Sequence, residues 1–415
     1  MTRSVTAGGR VLMYSQDSLG LGHLRRLTNL ANSLIAQRPD LSVLLVVDSP
    51  VAPFFELGPN IDFVKLPTVI KVGAGVFRAG KMSIDYEQVL ALRSSMLREI
   101  VLRLAPGLLL VDHMPGGANR ELLPALQAIG RRGLPTRVVL GLRDIIDRPA
   151  VTCEVWQREG VYETMQRHYH RVLIYGAPEI FATAEEYRIA AAMGDRVRYC
   201  GYVCNMGAVE EPRRVRDGLG LGDEPIVAVM AGGGADGSAL MQNCLQAARL
   251  LGTRRSFAMV MVTGPFMPEQ ERRALRDSAR GHGVQVRTSV GDTLSHIHAA
   301  DVVVSMAGYN TMSEILRLAR RAIIVPRPGP SAEQTMRAGL FAERGLVDVI
   351  EPTKLDPATL AQAIEQALAG PRASSPPRLP ALDGVANATA TLLDELATLG
   401  DVPHQHQDQN RARPA

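Results

Sequence analysis

Short apolar runs, separated by glycine loops and helical patterns, recur along this chain of 415 residues and restrict its fold more than any other feature. A run of four to six residues rich in Val, Ile and Leu suits a strand buried on both faces, as strands are in parallel sheets. The predicted strands are 11–15, 42–47, 63–66, 108–111, 137–140 and 172–175 in a first series and 226–230, 257–262, 284–287, 301–305 and 322–325 in a second. Because helical patterns lie between the runs, the sequence predicts two α/β domains, each a Rossmann-like doubly wound parallel sheet.

Domain boundaries follow from the break between the two series. Residues 1–205 are predicted to form an N-terminal domain and residues 206–372 a C-terminal domain, with a linker over 205–224 where glycines, a proline and clustered charges interrupt the pattern. Residues 373–400 start rich in Pro, Ser and Ala and continue with helical apolar spacing, which predicts a crossing segment and a last helix. Residues 401–415 are polar and aperiodic, and we expect them to be disordered.

Charge and cysteine content exclude several classes of protein. The formal charge of +4 is spread over arginine-rich helices, which argues against nucleic-acid binding. Four cysteines suit neither a disulfide framework nor a zinc site, because Cys200 and Cys204 have no second Cys or His pair at zinc-ligand spacing. No early segment has the apolar length of an export signal, and no run reaches the roughly 18 apolar residues of a membrane span, so we expect a cytoplasmic protein.

One helical pattern leaves a membrane contact open. Residues 93–104 combine an apolar stripe with Arg93, Arg98 and Arg103, which is typical of a helix lying on an anionic membrane. An amphipathic helix packed on a sheet has the same pattern, and that is the arrangement we expect. Peripheral contact with the inner membrane face is the alternative.

A glycine loop follows the first predicted strand. It contains Gly20, Gly22 and His23 and leads into a helix whose apolar stripe faces the sheet while Arg25 and Arg26 point elsewhere. Doubly wound sheets bind ligands at the carboxyl ends of their strands, so His23 is predicted to lie at the mouth of the cleft. A tight turn with an incidental histidine is the alternative interpretation.

The second domain repeats this device after strand 226–230. Gly233, Gly234 and Ala235 precede a helix, where backbone N–H groups suit a phosphate. No Gly-Lys-Ser/Thr follows, and the full dinucleotide spacing is absent, so the pattern favours phosphoanhydride binding without ATPase machinery.

The segment after strand 301–305 carries a carboxylate at the start of a helix. Gly308, Asn310, Thr311 and Glu314 lie there, and the carboxylate of Glu314 in the first helical turn could accept hydrogen bonds from both hydroxyls of a ribose. Thr311 and Glu314 also fit the capping-box pattern, in which Glu314 only caps its own helix. Local evidence leaves the two interpretations equal.

Two further polar residues follow a loop rich in Pro and Gly. Glu333 and Gln334 lie at a strand-to-helix junction, where both side chains could bind sugar hydroxyls. An exposed polar first turn is the commoner role for such residues, and taken alone this segment favours it.

Polar residues also end several strands of the first domain. Asp112 and His113, Arg143 and Asp144, and Tyr175 hold these positions, from which each could line an acceptor cleft or merely cap a loop. The aspartates show no metal-binding D-x-D pattern, so we expect no metal ion.

Taken together, the two glycine loops, the segment 308–314 and the Glu333-Gln334 pair resemble the GT-B glycosyltransferases of family 28. The resemblance is strongest over 226–368 and only architectural in the first domain, apart from Gly22-His23. It implies two Rossmann-like domains facing across a cleft, with an acceptor domain first and a donor domain second. It further implies inverting transfer from a nucleotide-diphosphate sugar, usually a UDP-sugar, to an acceptor hydroxyl, without metal or cofactor. The acceptor class stays open among glycans, lipid-linked molecules and small molecules.

The resemblance also assigns roles to residues. His23 is implied as catalytic base or acceptor-orienting group, with Asp112 and Asp144 as alternatives. The implied nucleotide-sugar contacts are Gly20 and Gly22, then Gly233, Gly234 and Ala235 at the diphosphate, Val290 at the base, Gly308, Asn310, Thr311 and Glu314 with its carboxylate on the ribose, and Glu333 and Gln334 at the sugar. Two departures from the family pattern are Leu19 and Leu21 in the first loop, which put the acceptor in question, and Glu333 in place of a first glutamine, which puts the sugar in question.

Two other functions suit the same architecture. A nucleotide-sugar hydrolase or 2-epimerase would use the donor site without an acceptor hydroxyl. A non-catalytic nucleotide-sugar-binding protein would keep Glu314 and the glycine loop but would not need His23.

Overall fold

A computed structural model describes residues 7–16, 21–50, 57–73, 76–253, 256–370 and 378–399. Two parallel sheets organise these residues, one of seven strands and one of six. The strands of the first part of the chain are β1 (Arg10–Ser15), β2 (Ser42–Val47), β3 (Ile61–Lys65), β4 (Val69–Gly73), β5 (Val76–Ala79), β6 (Leu108–Asp112), β7 (Arg137–Arg143), β8 (Arg171–Tyr175) and β9 (Val197–Tyr199). The helices there are α1 (Gly22–Gln37), α2 (Tyr86–Leu104), α3 (Leu123–Arg131), α4 (Pro149–Arg158), α5 (Val161–His168), α6 (Thr183–Glu186) and α7 (Ile189–Met193).

The second part of the chain repeats the alternation of strands and helices. Its strands are β10 (Ile226–Met230), β11 (Ala258–Val262), β12 (Val284–Arg287), β13 (Val302–Ser305), β14 (Ala322–Ile324) and β15 (Asp348–Val349). Its helices are α8 (Pro212–Leu219), α9 (Ser238–Gly252), α10 (Glu269–Ala279), α11 (Thr293–Ala299), α12 (Tyr309–Arg317), α13 (Glu333–Ala342), α14 (Pro357–Ala369) and α15 (Gly384–Ala397). The predicted fold class, two doubly wound α/β domains, is confirmed.

Strand order places the start of each domain at the centre of its sheet. The first sheet runs β3-β2-β1-β6-β7-β8-β9 and the second β12-β11-β10-β13-β14-β15. Both orders reverse direction beside the first strand of the domain, β1 or β10, which is where a doubly wound sheet opens its ligand crevice. All five residues of β6, β10 and β11 are buried, in keeping with their continuous apolar runs.

Several elements were missed by the sequence patterns, because each is short or polar. β9 has three residues and β15 two, and the β4–β5 hairpin is a separate antiparallel ribbon outside both sheets. Helix α8 lies inside the predicted linker, where only Val215 and Leu219 are buried among its charged residues. The backbone N–H of Glu210 donates to Oγ of Ser295 at 2.7 Å, which ties this region to α11.

The last helix, α15, packs on the first domain. Thr389 Oγ1 donates to Oγ of Ser33 on α1 at 2.9 Å. Glu395 accepts hydrogen bonds from Arg137 and Arg171, each at 2.8 Å, at the amino ends of β7 and β8. The chain therefore crosses back from the second domain, and the tail predicted over 401–415 lies outside the described residues.

Helix α2 packs on the first sheet through Leu97 and Val101. Arg93, which the sequence pattern grouped with the membrane-facing arginines, is fully buried instead. Its Nε donates to Glu121 at 2.5 Å, and its Nη1 lies 3.2 Å from Asp48. Of the helices in the described ranges, none combines the length and the apolarity needed to cross a bilayer.

Asp48 gives the fold a predicted pH dependence. Burial raises the pKa of its carboxyl to about 6, because loss of water outweighs the attraction of Arg93 and Lys65. The folded state then binds this proton more tightly than the unfolded state, so the contribution of Asp48 to the free energy of unfolding is fully present below pH ~4 and is lost, by roughly 1–3 kcal/mol, as the pH rises through ~6. Urea unfolding across this range should show that, as the pH rises, the free energy of unfolding of the wild type declines relative to that of Asp48→Asn. The exposed Asp62→Asn is the control, and equal pH dependence in all three proteins would contradict the prediction.

Candidate functional site

The carboxyl ends of the two sheets meet, and side chains from both domains contact one another there. Arg25 on α1 donates to Glu314 on α12 at 3.0 Å, and Asn310 donates to the Gly22 carbonyl at 3.2 Å. Arg337 on α13 forms an ion pair of 2.6 Å with Asp144, directly after β7. Ligand crevices of doubly wound sheets lie at these strand ends, so this interface is the candidate site.

His23 and Asp112 form a hydrogen-bonded pair in the first domain. His23 is the second residue of α1 and Asp112 the last of β6, and the Nδ1–Oδ2 distance is 2.6 Å. Arg26 Nη2 donates to the same carboxylate oxygen at 3.0 Å. A carboxylate only accepts hydrogen bonds, so the contact with Asp112 favours the tautomer with the proton on Nδ1 and a lone pair on Nε2. Nη2 of Arg26 also lies 2.8 Å from Nδ1. This is the arrangement of an oriented general base.

Neighbouring positive charge keeps Asp112 ionised in spite of its burial. The carboxylate is 1% exposed, and burial alone would raise its pKa. The positive charge of Arg26 and the contact with His23 outweigh burial, so the pKa of Asp112 lies below its ordinary value. An ionised Asp112 can stabilise an imidazolium on His23, whose side chain is 13% exposed.

Arg26 was placed wrongly by the helical pattern. It is 2% exposed, and its guanidinium lies 5.9 Å from the ring centroid of Tyr175 and 5.1 Å from that of Tyr309 in the second domain. The three-residue spacing of His23 and Arg26 puts both on one face of α1, and this was the available sequence signal.

The glycine loop of the second domain lies between β10 and α9, as predicted. Gly234 has φ of +92°, and a Cβ there would lie 2.1 Å from the carbonyl oxygen of Thr263. Glycine is therefore required at 234 because the backbone there lies close to the neighbouring loop. Gly233 and Ala235 lie beside it. Gly20 of the first loop lies outside the described residues.

Glu314 does not cap its helix. α12 begins at Tyr309 with Gly308 as the N-cap, so Thr311 is its third residue and Glu314 its sixth. The capping-box interpretation is wrong, since Thr311 would have to precede the helix, and Glu314 lies in the second turn instead of the predicted first.

The Glu314 carboxylate is nearly inaccessible in this state of the protein. It is 1% exposed; Oε1 accepts from Arg25, and Oε2 makes no hydrogen bond within the described part of the chain. Burial raises the pKa of Glu314, and Arg25 offsets this only in part. A buried carboxylate oxygen without a partner is costly, and a ligand hydroxyl would relieve that cost.

Glu333 and Gln334 open α13 but are not an exposed polar turn, being 3% and 7% exposed. Glu333 pairs with Arg143 at 2.9 Å and Arg337 at 3.0 Å. Burial opposes ionisation, but these cations outweigh it and lower the pKa of Glu333. Gln334 Oε1 accepts from the backbone N–H of Arg327 at 3.1 Å.

Asp144 has a structural partner. Arg337 donates to its two oxygens at 2.6 and 2.9 Å, and the carboxylate is 1% exposed. A bidentate ion pair of this kind favours a structural role over that of a base.

Val290 precedes α11, where it packs partly buried against the core. Among the described residues, no group of three or more His, Cys, Asp or Glu side chains is arranged for a metal ion.

Comparison with known proteins finds sequence similarity mainly in the second domain. Residues 227–386 match the family model described as the glycosyltransferase family 28 C-terminal domain, where the resemblance was predicted to be strongest. A UDP-N-acetylglucosamine--N-acetylmuramyl-(pentapeptide) pyrophosphoryl-undecaprenol N-acetylglucosamine transferase of Agrobacterium fabrum is 30% identical over 159 residues, which are 38% of this chain and 41% of that protein. The chain thus matches about two fifths of the length of this curated relative.

Solved structures resemble the whole chain. TcCGT1 in complex with UDP has a TM-score of 0.64 at 14% identity, over 94% of this chain and 98% of that one. A putative UDP-N-acetylglucosamine 2-epimerase from Listeria monocytogenes has a TM-score of 0.60 at 11% identity, over 95% and 97%. These likenesses and the two facing sheets confirm the GT-B fold.

Proposed function

We propose that this protein transfers a sugar from a nucleotide-diphosphate sugar, in the first place a UDP-sugar, to an acceptor hydroxyl, with inversion and without metal ion or cofactor. The observation that carries the proposal is the His23–Asp112 pair, 2.6 Å apart, at the interface with a family 28 C-terminal domain. A non-catalytic binding protein would have no use for an oriented imidazole. The pair therefore favours an enzyme.

The transfer uses groups of both domains. Nε2 of His23 removes the proton of the acceptor hydroxyl while its oxygen attacks the anomeric carbon, and Asp112 stabilises the imidazolium. The bond from the anomeric carbon to the diphosphate oxygen breaks with its electron pair on the diphosphate. The uncapped backbone N–H groups at the start of α9 and the adjoining loop suit that charge. The imidazolium returns its proton to solvent before the next turnover.

Donor entry requires the domains to separate. Arg25 covers Glu314 and Arg143 covers Glu333, and both arginines belong to the first domain. Opening removes Arg25 from Glu314 and Arg143 from Glu333, which keeps its pair with Arg337 in the same domain. The carboxylates then become accessible to ribose and sugar hydroxyls, and closure brings His23 to the anomeric carbon. We interpret the described arrangement as a closed form without donor, in which Arg25 and Arg143 pair with the carboxylates that donor hydroxyls would contact.

The acceptor is proposed only as a class. The name of the Agrobacterium fabrum relative includes an acceptor linked to undecaprenol, which is a lipid. This supports a lipid-linked acceptor, and glycans and small molecules are the other classes. A lipid-linked acceptor would suit a cytoplasmic enzyme in peripheral contact with the inner membrane face.

A 2-epimerase is the second candidate, favoured by the fold likeness to the Listeria monocytogenes protein. Product analysis with a donor labelled in its sugar separates the two. A transferase passes the label to an acceptor and releases the nucleotide, whereas an epimerase returns the label in the nucleotide sugar without any acceptor.

Glu314→Ala should weaken UDP binding by roughly 1.5–3 kcal/mol, because a hydrogen bond between a charged group and the ribose is lost. Isothermal titration calorimetry of UDP with the full chain measures this. Arg25→Ala is the matched control: it breaks the same ion pair but keeps the carboxylate, so UDP affinity should be unchanged or higher. If Glu314→Ala lowers only the melting temperature and leaves UDP affinity intact, Glu314 has a structural role alone.

A further inference from the structure

His113 has a backbone conformation that a histidine adopts only at a cost. It directly follows β6 with φ of +77°, and the N–H of Met114 donates to the carbonyl of Asp112 at 3.1 Å. A hydrogen bond across three residues with positive φ at the centre defines the rare, strained form of γ-turn. Glycine would adopt this conformation without the steric penalty of a Cβ. A histidine at this position therefore indicates a function for its side chain.

The turn brings two consecutive side chains to one imidazole. In an extended strand, successive side chains point to opposite faces. Here the carboxylate of Asp112 contacts His23 at 2.6 Å, and the ring centroid of His113 lies 5.1 Å from that of His23 at an interplanar angle of 44°. The strained turn thus places a second imidazole beside the proposed base.

Neighbouring groups hold this segment in place. The N–H of His113 donates to the carbonyl of Gly141 on β7 at 2.8 Å, and the hydroxyl of Tyr169 donates to the carbonyl of Pro115 at 2.6 Å. Strain of this kind persists where the surroundings over-determine the backbone, and it clusters at functional sites. Unlike Asp112, His113 is only partly buried.

We propose that His113 contacts the acceptor and orients its attacking hydroxyl toward Nε2 of His23. An imidazole can donate a hydrogen bond to a hydroxyl or accept one from it, and the ring of His113 lies 5.1 Å from that of His23. His113 is a positioning residue, and the proton still passes to His23. This assignment rests on the proposed function, because it presupposes transfer to a hydroxyl.

Two substitutions separate positioning from structure. His113→Gly removes the ring and relieves the strained turn, so its melting temperature should stay equal or rise by about 1–3 °C. UDP release from a UDP-sugar, with 4-methylumbelliferone as acceptor probe, should show kcat/KM for the probe reduced by about 10-fold or more. His113→Asn should recover part of this loss, because asparagine tolerates positive φ and keeps hydrogen-bonding groups. The Kd for UDP should stay within about 2-fold in both variants.

Ala105→Gly is the matched control, because Ala105 also has positive φ, 41°, but lies at the end of α2 away from His23. It should match His113→Gly in stability and the wild type in turnover. Unchanged kcat/KM in His113→Gly, or a melting temperature lowered by several degrees, overturns the assignment of His113 alone. A wild type that binds no UDP, or releases none from any UDP-sugar, overturns the proposed function and this assignment with it.

Discussion

His23→Ala is expected to slow sugar transfer by about 100- to 10,000-fold while UDP affinity stays within a few-fold of the wild-type value. The imidazole lies in the first domain, whereas the proposed ribose carboxylate, Glu314, lies in the second. Loss of the base should therefore raise the barrier of the chemical step and leave nucleotide contacts in place. Single-turnover rates of label transfer, measured beside calorimetric UDP affinities, test both halves of this expectation.

Asp112→Asn tests the same base through the residue that orients it. An amide cannot stabilise the imidazolium and favours the wrong tautomer of His23, so transfer should fall in this variant too, and the double variant should be little worse than His23→Ala. His282→Ala, at an exposed position in the second domain, is the control and should be close to wild type. Near-normal transfer by His23→Ala would move the base to Asp112. An equal collapse of UDP affinity would place His23 at the diphosphate.

The sequence predicted the architecture well, because strands buried on both faces leave a local signature. All eleven predicted strands occur, with ends shifted by at most three residues. The glycine loops and the segments around Glu314 and Glu333 were located for the same reason, since each directly follows such a strand. The short strands β9 and β15 lack the signature, because an edge strand of two or three residues has too few buried positions to show a period.

Arginines at the site were not predictable from local pattern. Arg26 and Arg337 are almost fully buried, although charged residues on a helix usually mark its solvent face. Each is buried because a carboxylate meets it from far along the chain, Asp112 for Arg26 and Asp144 for Arg337. Such pairing depends on which strand ends the topology brings together. The spacing of residues along a helix therefore does not predict it.

The role of Glu314 was ambiguous in the sequence because the segment is compatible with two different helix starts. A start after Thr311 would make a capping box, and a start at Tyr309 puts Glu314 in the second turn. Three-dimensional contacts decide: the ring of Tyr309 stacks under Arg26, and its hydroxyl accepts from the N–H of Val203 at 2.8 Å. Tertiary packing thus fixed the helix boundary that turned Glu314 toward the other domain.

Arg93→Met is expected to lower the free energy of unfolding by about 3–5 kcal/mol, because it leaves two carboxylates without their cation in the core of the first domain. Glu121 is 2% exposed and Asp48 0% exposed. Arg93 donates to Glu121 at 2.5 and 2.7 Å and to the carbonyl of Pro67 at 2.5 Å. Methionine keeps most of the volume of the side chain, so the loss measures charge pairing and hydrogen bonds more than a cavity. Urea unfolding followed by circular dichroism gives the free energy.

Arg98→Met on the same helix is the matched control, since Arg98 is exposed and its loss should change stability by no more than about 0.5 kcal/mol. Adding Glu121→Gln to Arg93→Met should restore part of the loss, because it removes one of the uncompensated charges. The restoration should be incomplete, since the Tyr14 hydroxyl donates to Glu121 at 2.6 Å and would meet a weaker acceptor. If Arg93→Met instead unfolds like the wild type, water reaches Asp48 and Glu121 readily, and the raised pKa of Asp48 with its pH-dependent stability would have to be abandoned as well.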